Sequence, residues 1–387
     1  MTLNAVVGWA KALDGREASL QAIHQALNKF GAAQPGLGIV IASQQYQPRD
    51  IASGVAGLLG EVPVIGFSSP AGLTAAGSLP HAVVVCILGG DDLEAHTHWL
   101  PGYAQSSRET AAQLGMLASG ENARHILFFA DGFNGDAEQF CQAMSGQPYQ
   151  TIGGLSSGDL HTGNTFQMAG NQTGSGAIAA LTMGSKIQLG IGYAHGWNPI
   201  GSQMRVTRSR GFWLRTLDAR PTSETYAELL GYPAREWGFP PLSHMARLYP
   251  LGMEQGEELV IRAPIRVEAD GSFRMNAPVR DGVDAFLMVG SRSACQKAAQ
   301  TATQQALHAL GGAKPVLALV LVDIAWQMLL KATPGAEITA VQDILGEEIP
   351  VAGGYTLGQV VSERAGDTPR FLNQHLVVIL FGETPTA

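Results

Sequence analysis

The chain repeats itself. Gln25-Ala26-Leu27, Gly31, Ala33, Pro35 and Val40 recur at a constant offset as Gln305-Ala306-Leu307, Gly311, Ala313, Pro315 and Val320. Glu61-Val62-Pro63-Val64-Ile65-Gly66 recurs as Glu348-Ile349-Pro350-Val351-Ala352-Gly353, and His81-Ala82-Val83-Val84-Val85 as His375-Leu376-Val377-Val378-Ile379. Such self-similarity means that one strand-and-helix unit is built more than once. A fainter middle copy runs from a helix near Ser107 to the strand His125 to Ala130. There Ile152-Gly153 is followed by Ser156-Ser157, as Ile65-Gly66 is by Ser68-Ser69.

Each copy reads as helix, buried strand, helix, short strand ending in glycine, turn and strand. The buried strands are near-continuous apolar runs, Gly38 to Ala42, Ile126 to Ala130 and Val316 to Val322, as strands covered on both faces are. The fold class is therefore α/β, with three related helix-strand-helix-strand units. The stretch from about 185 to 283 differs: it alternates, and Val260 to Val267 runs through Asp270-Gly271 into Phe273 to Val279, a hairpin pattern. It is read as an antiparallel, strand-rich insertion between the second and third units. One short helix, Glu224 to Leu230, follows Pro221 and the candidate caps Thr222 and Ser223 and stops at Gly231. The domain junction falls inside this stretch, giving 1–200 and 201–387, the latter divided into strand-rich 201–283 and the third α/β unit 284–387.

Composition narrows the function classes. Only 14% of the 387 residues are charged while 45% are hydrophobic, which excludes disorder. The 48 glycines follow no period of three, so they serve turns and close backbone approaches. With 24 basic against 32 acidic residues and only six lysines, nucleic acid is not an expected partner. Nor is a membrane, since the best apolar run, Pro315 to Leu330, is short and interrupted by Asp323. Met1-Thr2-Leu3-Asn4 lacks the start of a signal peptide, so a cytoplasmic location is expected. Cys86, Cys141 and Cys295 read as ordinary buried thiols.

Several strings bear on chemistry. Gly154-Leu155-Ser156-Ser157-Gly158 matches a nucleophile elbow, with Asp159 and His161 nearby, but a loop follows it where an elbow needs a helix. Gly153, Gly154, Ser156 and Ser157 are read as a structural or ligand-cradling turn, with a serine hydrolase as the rival. Asp131-Gly132-Phe133-Asn134 comes straight after a buried strand, where α/β folds place ligands, so Asp131 and Asn134 are candidate contacts, against the alternative of simple turn and capping chemistry. Arg205, Arg208, Arg210, Arg215 and Arg220 concentrate positive charge; Arg208 and Arg210 are candidate anion contacts, against the alternative of a solvated hairpin face. His96-x-His98 puts two imidazoles on one strand face with no third ligand nearby in sequence. His195, among aromatics and glycines, is a structural histidine, a haem ligand or another ligand contact.

Together these segments resemble the FIST family of bacterial sensory proteins. The residues that carry the resemblance are Phe129-Ala130-Asp131-Gly132, Ile152-Gly153-Gly154, Gly196-Trp197-x-Pro199-x-Gly201, Val206-Thr207, Leu217-Asp218, Tyr249-Pro250-Leu251 and Gly353-Gly354-Tyr355-Thr356-x-Gly358. The resemblance implies a small-ligand sensor rather than an enzyme, with amino acids or other metabolites as ligands. One subgroup of stand-alone members binds haem, senses nitric oxide and controls a partner histidine kinase; this would make His195 the cofactor residue and a separate kinase the partner. A homo-oligomer is left open. Many relatives carry Cys-x-x-Arg where this chain has Asp323-Ile324-Ala325-Trp326, and Gly-Glu where it has Gly358-Gln359. If those residues hold the usual ligand, this protein takes a more apolar or differently charged one, with Trp326 and Tyr355 among its contacts.

Overall fold

A computed structural model describes residues 3–31, 33–90, 93–160, 162–240, 242–256 and 258–383. It forms two compact units. One comprises the described residues of Met1–His195, Gln296–Phe371 and His375–Ala387; the other comprises Gly196–Cys295 with Leu372–Gln374.

The first unit is the repeat. Its first copy consists of β1 (Asn4–Ala10), α1 (Gly15–Phe30), β2 (Leu37–Ser43), α2 (Pro48–Leu59), β3 (Val64–Ser69) and β4 (Val83–Gly89). The second is β5 (Ala95–Pro101), α3 (Ser107–Gly120), β6 (His125–Asp131), α4 (Ala137–Ala143), β7 (Gln150–Ser156) and β8 (Ala177–Met183). The third is β9 (Ile187–His195), α5 (Arg292–Ala309), β10 (Pro315–Asp323), α6 (Ile324–Leu329), α7 (Ala336–Leu345), β11 (Val351–Val361) and β12 (His375–Glu383). The strand orders are β1-β4-β2-β3, β5-β8-β6-β7 and β9-β12-β10-β11. In each copy the first and last strands pair antiparallel, as do the last and second, while the second and third pair parallel. Three copies of one topology are thus present, as the repeats predict, and the fold is mixed α/β.

Local chemistry sets the helix starts. Asp14 accepts from the Glu17 N–H and Ser106 from the Glu109 N–H, each cap followed three residues on by glutamate. In the first copy α1 lays Ala18, Ala22, Ile23 and Ala26, and α2 lays Ile51, Val55 and Leu59, over Val6, Val40, Val83, Val85 and Ile87. The opposite sheet face is buried too, with Ile39, Ile41, Phe67 and Val84 fully covered. Burial on both faces is why these strands carry no alternation.

The copies are joined by strand exchange. Ala71–Thr74, leaving β3, pairs with Ala352 to Gly354 of β11. Residues Gln359 to Val361, at the far end of β11, pair with Ile152 to Gly154 of β7. Gln167–Ala169, leaving β7, pairs with Ile65 to Phe67 of β3. Each copy lends a short segment to another in a closed cycle.

The second unit is an antiparallel sheet whose neighbours run Glu258–Arg262, Leu251–Gln255, Asp284–Gly290, Trp197–Arg210, Trp213–Leu217, Phe273–Met275 and Pro264–Val267. The predicted hairpin is present, with Gly271 at φ 80° in its turn, and the helix Thr222–Leu230 ends at Gly231, also at φ 80°. Its start differs from expectation. Pro221 occupies the cap position without a capping side chain, because the Thr222 hydroxyl donates instead to the Leu214 carbonyl.

Candidate functional site

The register fixes which residues are equivalent. At the carboxyl ends of the parallel pairs, Ser43 lies beside Ser69, Asp131 beside Ser156 and Asp323 beside Thr356. All six are buried. Ser156 is thus level with Ser69, not with Ser68 as string comparison suggests. On the second strands the three residues do one job: Ser43 accepts from the Gln45 N–H, Asp131 from the Phe133 N–H and Asp323 from the Ala325 N–H. Each bends the chain off its strand with a side-chain turn. Asp131 also accepts from the N–H groups of Asn134 and Gly176, and Asn134 turns its amide back onto the same carboxylate.

The third strands end in hydroxyls. Ser69 donates to the Ala71 carbonyl and accepts from the Tyr355 N–H; Thr356 donates to the Val322 carbonyl and accepts from the Gln359 amide. Ser156 Oγ has no hydrogen-bond partner among the described residues. The exchanged segments add two glutamines at equivalent places. Gln167 pairs with Phe67, Gln359 with Gly154, and the third position is Gly72, opposite Gly354. Gln167 accepts from the Ala177 N–H with Oε1, while its Nε2 and the Oε1 of Gln359 have no partner among the described residues. Both side chains are fully buried. A buried polar atom left without a partner costs roughly 1–3 kcal/mol. Ser156 stands at the strand end, and the two glutamines lie on the exchanged segments, opposite residues two positions before Ser156 and its equivalent Ser69. These three make the layer at the carboxyl ends of the strands, where α/β folds bind, the candidate site.

The glycines beneath it answer to packing. Gly66, Gly153 and Gly353 are equivalent, each beside a residue of the neighbouring parallel strand: Val40, Phe128 and Val320. A Cβ at Gly66 would lie 2.7 Å from the Val40 carbonyl oxygen, and at Gly153 and Gly353 it would run into the carbonyls of Phe128 and Val320. One level on, Phe67 is matched by Gly154 and Gly354, and a Cβ at Gly354 would meet the Phe67 ring at 3.2 Å. The first copy supplies an aromatic ring and the third leaves room for it, while at Gly154 a Cβ would meet Thr356 and Leu321 instead.

Beside the layer, Ser68 holds both ends of the loop from 157 to 166. Its carbonyl accepts from Ser157 N, its hydroxyl donates to the Ser157 carbonyl, and the same oxygen accepts from Phe166 N. Ser157 Oγ donates to the Tyr355 carbonyl at 2.5 Å. Tyr355 in turn donates its hydroxyl to Glu337 at 2.5 Å, and burial raises the Glu337 carboxyl above its ordinary range. Trp326 is buried in α6, the helix that Asp323 caps.

The layer therefore gathers Asp131, Asn134, Gly153, Gly154, Ser156, Ser157 and Tyr355. Arg208 and Arg210 lie in the other compact unit, exposed on the strand Trp197–Arg210. His195 ends β9, half-buried and directly opposite His375, with ring centroids 4.8 Å apart at 71°. His161 lies outside the described residues. Ser43, Ser69, Gln167 and Glu337 were not legible as site residues. The one available signal was that Gln167-Met168-Ala169 and Gln359-Val360-Val361 share a pattern.

The chain matches the FIST N domain over residues 36–220 and the FIST C domain over residues 223–362. It belongs to the FIST family, whose domains are small-ligand sensors of signal transduction. Among solved structures it is similar to cyanuric acid hydrolase, described as an evolutionary innovation by structural concatenation, at 8% identity and a TM-score of 0.35, over 99% of this chain and 100% of that one. A second similarity is to T. maritima PurL complexed with ATP, at 11% identity and a TM-score of 0.25, over 99% of this chain and 72% of that one. No curated protein matches it. No described helix is long and apolar enough to cross a membrane.

Proposed function

We propose that the protein is a sensor whose small ligand seats against the strand-end layer and whose occupancy is passed to a separate signalling protein such as a histidine kinase. The observation that carries this is the trio of buried, unpartnered atoms: Ser156 Oγ, Gln167 Nε2 and Gln359 Oε1. An amide N–H, an amide carbonyl and a hydroxyl offer both donors and acceptors, so the ligand is a compact polar metabolite, an amino acid among the alternatives. Native mass spectrometry of freshly purified full-length protein tests it. A bound small molecule is expected, with affinity roughly ten-fold lower for each of Ser156→Ala and Gln359→Leu. A bare protein mass, with no stabilisation by a metabolite extract, would overturn the reading. The same Ser156→Ala protein decides the rival hydrolase: covalent labelling of the unaltered chain by a serine-directed fluorophosphonate, lost in the variant, would make Ser156 a nucleophile.

A haem-dependent form of the sensor is a second reading, motivated by the half-buried His195 and its neighbour His375. Their imidazoles have the donor chemistry that haem iron takes, and haem would supply a centre able to bind nitric oxide. Protein purified from haem-supplemented cells is expected to show a Soret band that His195→Ala abolishes; absence of the band removes haem.

A further inference from the structure

The first strand of each copy lies two strands from the second, and the ladders align Gly8 with Val40, His98 with Phe128 and Gly192 with Val320. In the first and third copies the glycine lets a helix sit directly on the strand: a Cβ at Gly8 would overlap the Ala22 carbonyl of α1, and one at Gly192 the Ala302 carbonyl of α5. The second copy departs from this. Its helix-bearing position holds a histidine, and a cavity of about 520 Å³ lies there, lined by Glu61, Val62, His96, His98, Glu121 and Asn171 among others. That volume is in the range of small-molecule sites.

His98 is fixed within it, its side chain only 10% exposed. Its Nε2 is 3.1 Å from Glu121 Oε2 and 3.2 Å from Thr182 Oγ1, and the Thr182 hydroxyl donates to Glu121 at 2.6 Å. Glu121 can only accept and the threonine proton is already committed, so the network assigns the proton to Nε2. In the neutral tautomer that places the proton on Nε2, Nδ1 is the acceptor. The remaining charged lining groups are carboxylates, and the described lining includes no lysine or arginine. From this acceptor-rich, negatively charged wall we infer that the cavity is a second ligand site, distinct from the strand-end layer, and that it takes a small organic cation carrying ammonium or amidinium N–H donors. Glu121 and Glu61 neutralise its charge, and Glu121 and His98 accept hydrogen bonds from its N–H groups.

Calorimetric titration of the full chain with butane-1,4-diamine, butane-1,4-diol and zinc chloride tests the inference. The diamine is expected to bind and the diol not, with roughly ten-fold weaker diamine binding in Glu121→Gln and in Glu61→Gln. Glu61 is exposed, so its variant keeps the test open if Glu121→Gln, which loses a carboxylate held by Thr182 and His98, folds poorly. No diamine binding, diamine binding unchanged in both variants, or saturable zinc binding in place of the diamine would overturn it.

Discussion

Gly353→Ala is expected to destabilise the repeat unit by about 3 kcal/mol or more, lowering its thermal unfolding midpoint by roughly 5–10 °C. The added methyl would be driven into the Val320 carbonyl, a backbone atom inside a strand buried on both faces, so neither side can give way cheaply. Backbone strain is not the cause, since Gly353 is absent from the positive-φ glycines. Gly57→Ala is the control: it lies exposed in α2 with nothing within 4 Å of its Cβ. There alanine is expected to stabilise by about 0.5–1 kcal/mol through helix propensity. Equal midpoints for the two variants would show that the repeated glycines do not mark a packing limit.

Tyr355→Phe has the next largest expected effect, a loss of roughly 3 kcal/mol. The hydroxyl is the donor to Glu337 Oε1, and Glu337 Oε2 already lacks a partner among the described residues. Removing the hydroxyl strands a buried carboxyl. The pH dependence follows from the direction of the Glu337 shift, upward through burial from an ordinary 4.5. The unfolded chain ionises first, so this group's contribution is fully present below pH 4.5 and is lost as pH rises through the higher folded value. Glu337→Gln keeps an acceptor for Tyr355 and removes the titration, so its stability relative to the unaltered protein should grow between pH 4 and pH 8. Chemical denaturation at both pH values measures this, and a constant difference would mean that Glu337 does not titrate across the window.

Much of the fold was legible because the repeats carry the residues that the fold cannot vary. Gly66, Gly153 and Gly353 recur since each lies against a neighbouring carbonyl, and the apolar runs around Val40, Phe128 and Val320 recur since both faces are covered. The exchanged segments were not legible. Three residues such as Gln167 to Ala169 are too short to show a period, and their partners are 100 residues away or more. Gly190 and Gly192 carry no local reason for themselves in the sequence; the helix α5 lying on them supplies it. The same limit hid the second cavity. His96 and His98 were visible as a pair without a third member, and Glu121 and Thr182 reach His98 only through sheet and helix packing.

The closed cycle of lent segments also has a timetable. β7 receives its partner from residues 359 to 361, about 200 residues further along the chain, so at 5–20 residues per second its edge waits on the order of 10–40 s during synthesis. Through that interval two copies exist without the strand that seals them, and an unpaired edge is a template for other chains. All strands of the antiparallel sheet, from Trp197 to Gly290, are made within the same interval. Yield during production should therefore depend on how fast the last third of the chain follows the first two, quite apart from the stability of the finished molecule.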